Sequence, residues 1–308
     1  MLRTRLGENG PVVVTDIAVG TSPLGGMPHT YGYDVPADRA IETVQEFLRS
    51  PINFIDTSNE YGDGESERRI GAALADGPAH SDLVIATKID PVRGSSDFSA
   101  ERVRSSFDES ISRLGAERVD VLYLHDPERF SFAEVTAPGG ALDAVIELRD
   151  EGRVSVIGVA GGDLAEMRRY LETGRLDVLL NHSRYNLLDT SADALIDEAL
   201  AAGVSFVNAA PYASGILAKP ASSGARFQYR PPSQGVVSKV AELRELCARF
   251  DVPLAALALQ FSTRDPRISS TVVGVSSPSR VLELVRNAEF EIPDELWAAV
   301  AELRADRA

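Results

Sequence analysis

Short apolar runs rich in β-branched residues recur along the chain, and most of them are followed by a segment with helical periodicity. Read as strands, the eight runs are residues 17–24, 53–58, 83–89, 119–125, 154–161, 178–183, 204–210 and 269–275. Seven of them are nearly continuous in Val, Ile, Leu and Ala, which is typical of parallel strands buried on both faces. Amphipathic helical patterns lie between them at residues 37–49, 65–75, 100–114, 140–151, 164–172, 191–202 and 254–263.

This alternation predicts an α/β protein built as a (β/α)8 TIM barrel, with residues 1–308 forming one domain. Residues before Ile17, divided by the turn signal Gly7-Glu8-Asn9-Gly10, predict a β-hairpin that closes the bottom of the barrel. Two extra helices are predicted at residues 236–250 and 293–304, the first after a Gly/Ser/Pro-rich loop at 212–235.

The competing fold is a doubly wound sheet with a dinucleotide site. It requires a G-x-G-x-x-G motif after the first strand, and the sequence has no such motif. Walker A, H-E-x-x-H and paired-cysteine motifs are also missing, and the four histidines (29, 80, 125 and 182) are scattered. We therefore expect neither phosphate-loop chemistry nor a metal site.

Composition narrows the class of partner. The chain is 44% hydrophobic and 25% charged, as is usual for soluble globular proteins, and its net charge of −15 disfavours nucleic acid and anionic membranes. Its single cysteine, Cys247, cannot form an intrachain disulfide, and no segment resembles a signal peptide or a membrane span. We expect a cytoplasmic monomer or small homo-oligomer that acts on a small molecule.

Four side chains at the predicted strand ends carry the candidate chemistry. Asp56, Lys88 and His125 end apolar runs on three successive strands, and Tyr61 follows Asp56 by five residues. Barrel active sites lie at the carboxyl ends of the strands, so these groups are expected to converge on one pocket. Each alone has an ordinary structural explanation, such as a cap or a core histidine, but together they indicate a site.

The chemistry of this set is specific. A buried ammonium beside a phenol favours the phenolate, which makes Tyr61 a usable proton donor and acceptor, and Asp56 would keep Lys88 charged. His125 would orient a carbonyl oxygen. Such a set suits proton transfer coupled to hydride transfer, with the hydride coming from a cofactor because side chains carry none.

These residues lie in segments that resemble the aldo-keto reductase superfamily: IDTSNEYGDGESE at 55–67, ATK at 86–88 and LYLHDP at 122–127. The resemblance extends over nearly the whole chain. It implies that Tyr61 is the general acid/base, that Asp56 and Lys88 adjust the pKa of its phenol, and that His125 orients the substrate. It also implies a nicotinamide dinucleotide, NAD or NADP, bound across the barrel mouth without a Rossmann motif.

The resemblance further implies where the cofactor binds. The loop NAAPYASGIL at 208–217 resembles the segment that clasps the pyrophosphate, and VGVSSPSR at 273–280 resembles the adenosine side. The residues implied to bind the cofactor are Gly20, Thr21, Ser22, Asp56, Asn181, His182, Pro211, Tyr212, Ala213, Ser214, Gly215, Leu217, Gly274, Val275, Ser276, Ser277, Arg280 and Glu283.

Three departures from the family pattern point to one of its branches. Ala160-Gly161-Gly162 stands where Ser-Asn is usual, His182 where Gln is usual, and Ala209 where an aromatic residue is usual, so Asn181 or His182 must hold the nicotinamide. Together they resemble the D-threo-aldose, L-fucose and L-galactose 1-dehydrogenases. Arg280 is the one basic residue in its segment, which favours NAD over NADP.

The loop at 25–34 offers His29, Tyr31 and Tyr33 to a polyhydroxy substrate, beside Tyr61 and His125. The expected function is oxidation of an aldose to a lactone by an NAD(P)-dependent oxidoreductase. The alternatives are an NADPH-dependent aldehyde or ketone reductase and a non-catalytic, cofactor-sensing barrel subunit. A weaker one is an aldolase-type barrel in which Lys88 forms a Schiff base.

Overall fold

The computed structural model describes residues 1–7, 10–219, 227 and 230–305. Its strands are β1 (Arg3–Arg5), β2 (Val13–Thr15), β3 (Ile17–Gly20), β4 (Phe54–Asp56), β5 (Val84–Ile89), β6 (Val119–His125), β7 (Val154–Gly161), β8 (Val178–His182), β9 (Ser205–Ala209) and β10 (Ile268–Gly274). Strands β3 to β10 are parallel, and they close into a barrel in sequence order, with β10 pairing to both β9 and β3. The predicted TIM barrel is confirmed.

Helices surround this barrel. They are α1 (Pro28–Tyr31), α2 (Ala37–Arg49), α3 (Glu65–Asp76), α4 (Ala100–Leu114), α5 (Phe132–Thr136), α6 (Ala141–Asp150), α7 (Leu164–Leu171), α8 (Asp193–Ala201), α9 (Gln234–Arg249), α10 (Leu254–Thr263), α11 (Pro278–Glu289) and α12 (Asp294–Ala305). The predicted bounds agree with α2, α4 and α10 at both ends. No helix in the described part of the chain is long and apolar enough to cross a bilayer.

Side chains along each strand alternate between two apolar layers. On β6, Leu122 and Leu124 pack outward with Phe107 of α4, whereas Tyr123 belongs to the cluster that fills the barrel interior. By the same alternation, the side chain of Phe54 on β4 lies in the barrel interior. Because a strand has a period of two, the residue two positions after an interior one also faces the barrel axis.

The hairpin of β1 and β2 closes the barrel at the amino ends of the strands. Leu6, Val12 and Val14 are buried in the same cluster as the interior side chains, which include Val121 near the start of β6. The backbone N–H of Gly7 donates to Ser205 Oγ at the start of β9, at 2.8 Å. Glu8 and Asn9, in the predicted turn, lie outside the described residues.

The structure also departs from the sequence patterns in places. The first strand, predicted over 17–24, ends at Gly20, and residues Ser22–Gly25 form a 3-10 turn. Pro23 has no N–H to donate to a neighbouring strand, so the strand could not continue through it, and it lies in the first turn of the 3-10 segment. The short helices α1 and α5 were not predicted, since four or five residues are too few for a visible period. Part of the predicted 212–235 loop lies outside the described residues.

Candidate active site

Strand geometry directs three of the predicted side chains into the barrel mouth. Asp56 lies two residues after the interior Phe54, Lys88 two after Ala86, and His125 two after Tyr123. Asp56 aligns with Ala86 in the register of β4 and β5, and Lys88 aligns with Tyr123 in that of β5 and β6. The three side chains therefore enter the same space from three adjacent strands.

Lys88 is the centre of this arrangement. Its Nζ donates to Asp56 Oδ1 at 2.7 Å, to the carbonyl oxygen of Thr57 at 2.6 Å and to the hydroxyl of Tyr61 at 3.2 Å. The lysine is 1% exposed, so its charge is held by these partners and not by water. Burial raises the pKa of Asp56, and the charge of Lys88 opposes that rise without cancelling it. The carboxylate form of Asp56 thus depends on Lys88.

The loop between β4 and α3 carries Tyr61 and is held by the neighbouring helix α4. Arg113 donates to the carbonyl oxygen of Asn59 at 3.0 Å and pairs with Glu67 at 3.2 Å. Gly62, next to Tyr61, has φ of 64°, and a Cβ there would lie 2.0 Å from the carbonyl oxygen of Gly25. Both features restrict where the phenol can lie.

We expect Arg113→Ala to lower the free energy of unfolding by about 3 kcal/mol, because it leaves the fully buried Glu67 without its cation. Urea unfolding measures this loss. Arg68→Ala is the matched control: its ion pair with Glu65 is about half exposed and should cost under ~0.5 kcal/mol. Equal losses in the two variants would contradict the assigned role of Arg113.

His125 is fixed by a buried carboxylate. Its Nδ1 lies 2.6 Å from Asp90 Oδ1 and 3.2 Å from Ser58 Oγ, and its ring meets that of Tyr61 edge-on, with centroids 5.8 Å apart. Burial lowers the pKa of His125, but the adjacent Asp90 outweighs burial and the pKa is raised above its ordinary value. His125 is thus biased toward the charged form.

A cleft of about 2010 Å³ opens above these groups at the carboxyl ends of the strands. All four predicted catalytic residues line it. So do the other predicted substrate contacts, His29 and Tyr31. The predicted cofactor residues that line it are Gly20, Ser22, Asp56, His182, Pro211, Tyr212, Ser214, Gly215, Gly274, Val275, Ser276, Arg280 and Glu283.

Five predicted cofactor residues are not part of this lining. Thr21 is buried and donates its hydroxyl to the carbonyl oxygen of Asp56 at 2.9 Å, and Asn181 donates to the carbonyl oxygen of Gly161 at 2.9 Å. Ala213 and Leu217 are buried apolar residues, and Ser277 precedes the first turn of α11. Each of these residues is adjacent in sequence to a residue that lines the cleft; their part in cofactor binding stays a prediction.

The cleft suits an extended dinucleotide. His182 lines the cleft, and its Nδ1 is buried without a hydrogen-bond partner among the described residues, so one polar atom stays unsatisfied where the nicotinamide was expected. In the 208–217 loop, Ser214 and Gly215 both have positive φ, at 60° and 89°, as does Ala213. Such curved loops and the amino end of α11 are backbone elements that favour phosphate groups.

The loop after the first strand forms the opposite wall. The hydroxyl of Tyr31 donates to Ser22 Oγ at 2.7 Å, and its ring lies 5.8 Å from that of Tyr33. The Nζ of Lys219, which also lines the cleft, lies 5.5 Å from the centroid of the Tyr33 ring. His29 is exposed and also lines the cleft. This wall thus presents hydrogen-bonding side chains to the space above Tyr61.

Sequence reasoning missed two buried side chains of this site, Ser58 and Asp90. Both hold His125, and Asp90 also contacts Ser58 through Oδ2. A signal for Asp90 was present: it follows Lys88 by two residues, so the period of the strand places it on the same side.

Several known proteins are similar to this chain over most of its length. L-galactose dehydrogenase of Arabidopsis thaliana is 35% identical, covering 91% of this chain and 86% of its own. D-threo-aldose 1-dehydrogenase of a Pseudomonas species is 32% identical (87% and 88%), and pyridoxal 4-dehydrogenase of Microbacterium luteolum is 31% identical (96% and 95%).

Among solved structures, the holo form of an aldo-keto reductase from Bacillus halodurans superimposes with a TM-score of 0.81 at 24% identity, covering 98% of this chain and 96% of its own. That likeness supports the barrel fold. The sequence model of the Aldo/keto reductase family matches residues 16–305. The chain therefore belongs to the aldo/keto reductase family, whose oxidoreductases act on alcohol and carbonyl groups with nicotinamide cofactors.

Proposed function

We propose that this protein oxidises an aldose at its anomeric carbon and releases a lactone, with NAD as the cofactor. The observation that carries the proposal is the set of hydrogen-bonding side chains that line the cleft together with Tyr61. His29, Tyr31, Glu60, Asp126 and His182 all face this space, and each can form hydrogen bonds with sugar hydroxyls. Two of the relatives named above are sugar dehydrogenases, which supports the same substrate class.

In this mechanism the chain handles the proton. Tyr61 removes the proton of the C1 hydroxyl as a base, and the Lys88 ammonium, 3.2 Å away, stabilises the phenolate that accepts it. His125 holds the same substrate oxygen, and Asp56 keeps Lys88 charged. The nicotinamide cofactor, when bound, supplies the two-electron acceptor; Asn181, His182, the 208–217 loop and the start of α11 would hold it.

The preference for NAD has its own structural support. Arg280, the basic residue on the adenosine side, forms a partly exposed ion pair with Glu283 at 2.5 Å, so a phosphate would compete with this carboxylate for the guanidinium. Both residues line the cleft. A carboxylate at this place accepts hydrogen bonds from ribose hydroxyls and repels a 2′-phosphate.

We expect NAD to be preferred over NADP by roughly 10- to 150-fold in kcat/KM, the value of one cationic contact to a phosphate. Glu283→Gln should lower the ratio of kcat/KM for NAD to that for NADP, because it removes the carboxylate that pairs with Arg280. Glu289→Gln, at the exposed far end of the same helix, is the control and should leave it unchanged.

Steady-state assays with both cofactors against aldoses, simple aldehydes and pyridoxal test the whole proposal. The alternative, an NADPH-dependent carbonyl reductase, uses the same four residues in the reverse direction. A kcat/KM for NADPH with an aldehyde above that of every NAD–sugar pair would overturn the proposal and favour the NADPH-dependent carbonyl reductase. Cofactor binding without turnover of any compound would favour the non-catalytic, cofactor-sensing subunit.

A further inference from the structure

Among the described residues, five carboxylates line the cleft, and they differ in whether a cation neutralises them. Four are paired with a lysine or an arginine: Asp56 with Lys88, Glu60 with Arg129, Asp63 with Arg93 and Glu283 with Arg280. The fifth, Asp126, forms no ion pair with any lysine or arginine in the part of the chain that the structure describes. Its oxygens are therefore available to the hydrogens of a ligand.

The main chain around Asp126 places this residue at the cleft. Asp126 directly follows β6, and its φ of 42° lies in the left-handed region, which aspartate and asparagine adopt more readily than most residues. Its N–H donates to the carbonyl oxygen of Ala160 at 2.7 Å, and Pro127 begins the 3-10 turn that follows. This turn ends the alternation of the strand, so that Asp126 lines the cleft although its neighbour His125 does so too.

The carboxylate of Asp126 lies beside the ring nitrogen that is left for a substrate. The other nitrogen of His125, Nδ1, is held by Asp90 and Ser58, so Nε2 is the one that can donate to a substrate oxygen. Asp126 Oδ1 is 3.9 Å from this Nε2. That distance is too long for a direct hydrogen bond, but it is short enough for two neighbouring groups of one ligand to contact both side chains.

The groups next to the reacting carbon of an aldose decide which of them this carboxylate can bind. An ionised carboxylate only accepts hydrogen bonds. In a cyclic aldose C1 is bonded to the ring oxygen, which has no hydrogen, and to C2, whose hydroxyl has one. The C1 oxygen accepts from His125 Nε2 and gives its own hydrogen to Tyr61. The C2 hydroxyl then has a separate hydrogen for Asp126.

We propose that Asp126 is a specificity-determining residue: its carboxylate accepts the hydrogen of the hydroxyl on the carbon next to the reacting one, so the site selects aldoses and 2-hydroxy aldehydes over their 2-deoxy counterparts. The proposal rests on the alcohol–carbonyl chemistry at Tyr61 proposed above. Asp126 makes and breaks no bond of the substrate. Its effect is on which substrates bind in the reactive position.

Glyceraldehyde and 3-hydroxypropanal differ only in the 2-hydroxyl, and their reduction with NADH and with NADPH measures this selection. We expect kcat/KM for glyceraldehyde to exceed that for 3-hydroxypropanal by roughly 10- to 150-fold, the value of a hydrogen bond to a charged group. Asp126→Gly, which tolerates the left-handed conformation, should bring this ratio close to one. Asp126→Asn, which keeps an uncharged oxygen acceptor, should give an intermediate ratio. Any effect of the lost charge on His125 changes both compounds alike and cancels in the ratio.

Asp63→Asn is the matched control. Asp63 also lines the cleft and also has a positive φ, 55°, but its side chain is 59% exposed and paired with Arg93. The substitution removes the same charge as Asp126→Asn and should leave the ratio of the two kcat/KM values unchanged. A fluorescence titration with NADH should give the same affinity in both variants as in the wild type.

A wild-type ratio near one would overturn the proposal, and this result is decisive even if the variants do not fold. A ratio that persists in Asp126→Gly would contradict it as well, and weaker NADH binding beside that unchanged ratio would make Asp126 a cofactor contact. The two aldehydes do not test aldose oxidation. The expected ratio without oxidation of any aldose would therefore contradict the proposed sugar oxidation alone, whereas no turnover of either aldehyde would contradict both proposals.

Discussion

Tyr61→Phe is expected to lower kcat at least about 100-fold, the usual contribution of a positioned acid–base group, while the fold and the affinity for the cofactor are retained. The substitution removes one oxygen, the atom that Lys88 approaches to 3.2 Å. The loop contacts made by Arg113 with Asn59 and Glu67 do not involve the phenol, so the backbone should keep its position. Stopped-flow turnover and a cofactor titration by fluorescence measure the two quantities separately.

The matched control for this experiment is Tyr123→Phe. Tyr123 is fully buried on β6, and its hydroxyl has no hydrogen-bond partner among the described residues. Loss of that oxygen should therefore leave turnover within about twofold and stability nearly unchanged. Near-wild-type kcat in Tyr61→Phe would remove Tyr61 from the proton transfer and contradict the proposed mechanism.

Lys88→Met should have an effect of comparable size and a different signature. Without the ammonium the phenolate of Tyr61 loses its stabilising charge, so oxidation should collapse near neutral pH and recover only at higher pH. The variant also leaves Asp56, 3% exposed, without its cation; stability should fall by about 3–5 kcal/mol at neutral pH. The pH–rate profile and urea unfolding together test both expectations.

A double variant separates the two roles of Lys88. Asp56→Asn/Lys88→Met removes both charges, so it should regain most of the lost stability, because no unpaired charge stays buried. Activity near neutral pH should stay low, because the cation beside Tyr61 is still missing. If the double variant regains activity as well, or if the pH–rate profile of the single variant changes only in height, Lys88 serves the structure alone.

The fold could be read from the sequence because the information for it is local. Apolar runs such as 119–125 and 154–161 match β6 and β7 from first to last residue, and the predicted ends of α2, α4 and α10 are also those of the structure. The convergence of Asp56, Lys88 and His125 follows from the same source, since each ends an apolar run and strands place alternate side chains on one face.

Contacts between distant parts of the chain could not be read in this way. Which carboxylate holds His125 depends on the register of β5 against β6, and Asp90 is 35 residues away from it in sequence. The support of the Tyr61 loop by Arg113 joins atoms 54 residues apart. Neither contact produces a periodic pattern of residues in the sequence, because each depends on how two elements pack together and not on the pattern within either element.

The sequence by itself thus determined the barrel, the order of its strands and the strand ends at which the candidate chemistry lies, because hydrophobic periodicity acts within each element. Only the tertiary structure decided how those groups are charged and held: the ammonium of Lys88 lies among three oxygens, and Asp90 lies behind His125. Burial and neighbouring charges set protonation, and both arise only when the barrel closes.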